Sequence, residues 1–109
     1  MAKKRVLVMM RPRDPDDPMG GYVSLGSPRE FVDKLSGFNT APDGSKRSAV
    51  GTDVLHGPGF VVEYAQGAES IQQAMVTVVE SDIAWPVLSR VCRAFGWKMQ
   101  DTESGQLFG

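Results

Sequence analysis

The residues with the most chemical reach are His56, the only histidine, and Asp53, in the segment Thr52-Asp53-Val54-Leu55-His56-Gly57-Pro58-Gly59. An imidazole titrates near neutrality, and a carboxylate beside it would poise it as a general acid or base. The spacing sets a condition: side chains three apart on a strand leave opposite faces, so these two meet only if the segment is irregular. Cys92, the only cysteine, falls on the apolar stripe of an expected helix, where burial disfavours the thiolate, and it reads as a core residue. One histidine and one cysteine do not make a zinc site from those ligands within the chain. The acidic cluster Asp14, Asp16 and Asp17 lacks the spacing and downstream glutamate of a calcium loop and reads as a solvated surface. No metal and no cofactor is expected.

A second candidate is the stretch from Gly20-Gly21-Tyr22 to Gly26-Ser27, which leads into a helix N-terminus. Free N–H groups there, with Ser27, Arg29 and Tyr22 nearby, are the chemistry of a phosphate or carboxylate site. The glycine spacing fits neither the dinucleotide nor the P-loop fingerprint, and Ser27-Pro28-Arg29-Glu30 has a simpler reading as a capping box.

These residues are set in a chain of 109 residues, 41% hydrophobic and 23% charged, with a net charge of −1. That is the size and composition of one folded domain, spanning 1–109, and the balance of charge selects no polyanionic partner. An unpaired cysteine in so small a domain favours a reducing compartment, so a cytoplasmic location is expected. The apolar run over residues 6–10 is too short for a secretory signal, and no run approaches the roughly 20 residues that span a bilayer, so no membrane partner is expected.

The elements that position the candidates follow from local pattern. Residues 6–10 are continuously apolar, as in a strand covered on both faces, with Pro12 as its stop. Residues 12–26 read as an irregular loop. The capping box starts a short helix with Phe31, Val32 and Leu35 inward, and Gly37 is placed as a left-handed stop. Residues 39–59 are rich in turn formers and read as a second irregular loop, with a short strand at 53–56 as one of its possible contents. Two β-rich stretches, 60–65 and 74–80, suggest a hairpin: Phe60, Val62 and Tyr64 share one face, as do Ala74, Val76 and Val78. A helix over 81–95 follows, capped by Ser81 or Asp82 and ended by Gly96. Val87, Leu88, Val91 and Phe95 are expected to be buried, and Pro86 should loosen the first turn or delay the start towards Trp85. Strands at 97–101 and 106–108 complete the chain.

The order is β, α, β, β, α, β, and the expected fold is α+β and ferredoxin-like: a four-stranded antiparallel sheet with two helices on one face and a short extra C-terminal strand. RNA-recognition domains use the same order and stack bases on aromatic residues of the two central strands. Residues 6–10 and 74–79 contain no aromatic residue, so no specific nucleic-acid partner is expected. The sheet face opposite the helices, with Leu7 or Val8, Met9 or Met10, Val61, Met75 and Val79, is apolar enough to be an interface. Two functions follow. One is a non-enzymatic interaction or regulatory domain that forms a homodimer or binds a protein partner through Val61, Met75 and Val79. The other is a small-molecule enzyme or ligand-binding domain with its site near Asp53 and His56.

Overall fold

A computed structural model describes residues 5–14, 16–41, 52–65 and 67–109. Among them are seven strands and two helices: β1 (Arg5–Asp14), β2 (Asp17–Val23), α1 (Pro28–Ser36), β3 (Thr52–Gly57), β4 (Phe60–Ala65), β5 (Ala74–Val78), α2 (Ser81–Phe95), β6 (Lys98–Asp101) and β7 (Leu107–Phe108). All pairings are antiparallel, and the sheet runs β3-β4-β5-β1-β6-β7, with β2 paired to β1 off that path. Seven strands overturn the expected four-stranded ferredoxin-like sheet. The four expected strands are present as neighbours, β4-β5-β1-β6, but β3 and β7 extend both ends and β2 adds a ribbon.

The ribbon explains most of the discrepancy. β1 does not stop at Pro12 but runs to Asp14, and it changes partners on the way. Residues up to Met10 pair with β5 and β6; from Arg11 onward β1 pairs only with β2, through Arg11↔Val23, Pro12↔Tyr22 and Asp14↔Asp17. A strand with one neighbour needs donors on one side only, which is the setting where proline is tolerated. The stretch expected as an irregular loop over 12–26 is therefore largely strand, with a register shift between Pro12 and Asp14.

β3 realises the short strand read as one content of the 39–59 stretch, one residue longer at each end, and its far edge is partly closed by a bridge between Ala41 and His56 through two backbone hydrogen bonds. The turn signal at Pro42-Asp43-Gly44 lies outside the described residues. The turn from β3 to β4 depends on Gly59: its φ is +76°, and a Cβ there would lie 2.6 Å from the Glu80 carbonyl oxygen. The carbonyl of Gly59 in turn accepts the N–H groups of Val79 and Glu80, tying this turn to the start of α2.

The capping box forms as expected. Ser27 Oγ accepts the Glu30 N–H at 3.2 Å, and the Ser27 N–H donates to Glu30 Oε1 at 3.0 Å. The Ser27 backbone N–H first, and then the Ser27 side chain, hold the Glu30 carboxyl below its ordinary value of 4.5. Gly37 is not left-handed, with φ −67°; the positive φ belongs to Asn39, at 59°, because α1 runs out through a turn rather than a glycine stop. α2 is continuous from Ser81 through Pro86 and ends at left-handed Gly96, as expected. Its N-cap is Glu80, with no side-chain hydrogen bond, rather than Ser81 or Asp82. Pro86 lies inside the helix, and its carbonyl is held by Arg90 Nε at 3.2 Å. Leu88, Val91, Cys92 and Ala84 are buried, whereas Val87 and Phe95 are only partly so.

Both helices pack on one face of the sheet. Leu7, Met9, Leu55, Phe60, Val62, Tyr64, Val76 and Met99 join Phe31, Leu35, Leu88 and Val91 in a single core. Phe31 sits at its centre, with its ring centroid 5.4 Å from Tyr64 and 5.7 Å from Trp97. Burial removes each large apolar side chain from water for roughly 1.5–3 kcal/mol. Asp101 is the one buried acid among the described residues. It pairs with Arg5 at 2.9 Å and caps the following turn by accepting the N–H groups of Glu103 and Ser104.

Candidate functional site

Strand alternation decides where the sequence candidates fall. In β3, Asp53 stands opposite Tyr64 and His56 opposite Val61. Tyr64 belongs to the helix-covered core and Val61 to the other face. Asp53 and His56 are thus on opposite faces of the sheet, and the strand does not bring them together. Asp53 lies near enough to Tyr64 for its charge to add to burial, the larger cause, in raising the tyrosine's pKa. The N-terminus of α1 carries the second set. Ser27 is engaged by Glu30 in the capping box, Arg29 is exposed on the helix, and Tyr22 stands on β2 opposite Pro12. Cys92 is buried, and desolvation pushes its thiol up to about 11, so it stays protonated at neutral pH.

The third set shares one surface. On the face that neither helix packs against, the register aligns Val8 with Met75 and Met75 with Glu63, and in the next row Val6 with Thr77 and Thr77 with Val61. Val79 follows Val78 at the end of β5. Met75 is 37% and Val79 46% exposed, while Val6, Val8 and Val61 are half-buried. Of the alternative core residues, Leu7 and Met9 turn to the helices, leaving Val8 and Met10 on the open side. The neighbours of this apolar band are Thr77, Glu63, His56, Lys98 and Gln100. It is a band of valine and methionine interrupted by Thr77 and bordered by polar and charged residues, a surface able to exclude water from a contact. Among the described residues no group of three or more histidine, cysteine or acidic side chains is placed to hold a metal ion.

At one end of this face the departure of β1 towards β2 opens a cavity of about 290 Å³, lined by Val8, Met10, Tyr22, Gln72, Gln73 and Gln100. Of these, Tyr22 was a sequence candidate for ligand binding and Val8 and Met10 were alternatives for the open face; the glutamines were not singled out. The glutamines come from the segment before β5 and from β6, distant in sequence, so their meeting has no local signature. A second concavity, of about 430 Å³, lies between the end of α1 and α2, with Asn39, Pro58 and Arg90 on its walls. No helix among the described residues is long and apolar enough to cross a membrane. No protein-family model, curated protein or solved structure matches this chain.

Proposed function

We propose that this domain is a non-enzymatic interaction module that self-associates through the open face of its sheet. The observation that carries the reading is the exposure of Met75 and Val79 beside half-buried Val6, Val8 and Val61 on a surface that neither helix packs against. Exposed apolar surface of this kind marks interaction sites, and the flexible, polarisable methionine side chain adapts to an opposing surface. A two-fold arrangement of two sheets would bury this ridge against its own copy, each supplying the same residues to the other. The polar border of Glu63, Lys98 and His56 would then set the angle between the sheets.

Sedimentation equilibrium over a range of concentrations tests this directly. The wild-type protein is expected to dimerise in a concentration-dependent way. Met75→Glu is expected to remain folded, by its circular dichroism, and to sediment as a monomer. A wild type that is monomeric at every concentration, or a Met75→Glu protein that dimerises as well as wild type, overturns the proposal.

A further inference from the structure

We infer that the cavity at the β1–β2 branch is a binding site for a small, uncharged, planar molecule with an amide-like hydrogen-bonding edge, such as a carboxamide or a nitrogen heteroaromatic ring. The inference rests on what lines the cavity, which shares Val8 with the ridge proposed for self-association. Val8 and Met10, on β1, supply apolar surface, and Met10 is only 6% exposed. Tyr22, on β2, contributes the one aromatic ring among the described residues that is largely exposed, at 45%. Three carboxamides, Gln72, Gln73 and Gln100, arrive from two other segments, and no ionised side chain is among the described lining residues.

The hydrogen bonds already present define which groups are left for a ligand. Gln100 Nε2 donates to the Gly105 carbonyl at 3.2 Å, and because a carbonyl can only accept, the orientation of this amide is fixed. Gln72 Nε2 donates to Ser70 Oγ at 3.0 Å. Each of these amides donates once, so Gln72 and Gln100 each retain a second N–H and the Oε1 acceptor, and the Gln73 side chain, with no hydrogen bond to another described residue, keeps both kinds of group. Three carboxamides, each with a donor and an acceptor left over, complement an edge that carries an N–H donor beside an acceptor. A carboxamide side chain reads such an edge through two hydrogen bonds, as on adenine. The ring face of Tyr22 suits a flat partner, since stacking on an aromatic ring needs a π-surface rather than a charge. An ionic ligand would lose hydration without a counter-charge in return. The cavity volume of about 290 Å³ lies at the lower end of small-molecule sites, which suits one ring system.

The test is titration of the isotopically labelled protein with nicotinamide, with adenine, and with benzoate as an anionic analogue of similar size, followed by NMR. Nicotinamide or adenine is expected to shift the Tyr22 ring signals and the side-chain NH2 signals of Gln73 and Gln100 saturably, while benzoate does not. Tyr22→Ala and Gln100→Leu should each weaken binding by about fivefold or more, the loss of one stack or one hydrogen bond, with the α1 and α2 backbone signals unmoved. No saturable shift with either neutral probe by about 10 mM overturns the inference. So does equal binding of benzoate, or unchanged binding in both variants.

Discussion

The two faces of this sheet are built from the same strands and nearly the same residue types, yet they differ in what covers them. On one, Leu7, Met9, Val62 and Val76 are fully buried beneath Phe31, Leu35, Leu88 and Val91. On the other, one residue along each strand, Val8, Val61 and Met75 remain partly or largely exposed. Apolar side chains do not bury themselves; a second layer does, and both helices went to the same side. The packed face holds the fold together, and the open face has apolar surface left over for an encounter. The only thiol is buried in the packed layer, and Asp53 and His56 are divided between the faces.

The sharpest way to break this comparison is Phe31→Ala. The ring lies between Tyr64 and Trp97, and its loss should lower the free energy of unfolding by about 3–5 kcal/mol in urea denaturation. A loss below about 1 kcal/mol would mean that the helix-side layer is not the source of stability. Asp101→Ala comes next. It removes the Arg5 partner and the cap on two N–H groups, for an expected loss of about 1–3 kcal/mol. Val61→Ala on the open face should change monomer stability by only about 0.5–1 kcal/mol while weakening self-association, so that stability and assembly respond on different faces. The smallest effect concerns the box at α1. Because the folded Glu30 carboxyl titrates below its ordinary value of 4.5, its contribution is present above that value and is lost as pH falls through the folded value. The stability difference between wild type and Glu30→Gln should therefore shrink on acidification, and a difference that is flat with pH would remove the ionised box from the account.

What was legible in the sequence was local. The capping box of α1 is decided within four residues, and the stripe of α2 and the glycine after it within fifteen, so both helices could be placed. The inward faces of β4 and β5 followed from alternation alone, and so did the exposure of Met75 and Val79. β2 was hidden because Pro15, Pro18, Gly20 and Gly21 are breakers by composition, and only its pairing to the outer half of β1 makes it a strand. Pro12 was misleading for the same reason: its lack of a donor matters only between two neighbours. Asp53 and His56 turned on whether β3 exists, which is settled by β4 rather than by the segment itself. The glutamine-lined cavity depends on three segments converging, and no window of sequence contains them all.

On the ribosome, β1 is made long before the strands that will flank it. The Thr102 side chain donates to the Val6 carbonyl across a separation of 96 residues, and β6 ends only one residue earlier. At roughly 5–20 residues per second of synthesis, Leu7, Met9 and their neighbours spend on the order of 5–20 s without β6 beside them. An apolar strand in that position is a nucleus for misassociation between nascent chains. The sequence brackets it with Lys3, Lys4 and Arg5 on one side and Arg11 and Arg13 on the other. Charges flanking an apolar strand are the placement expected of gatekeepers for an unfinished chain, and in the finished fold Arg5 has a second task as the partner of Asp101.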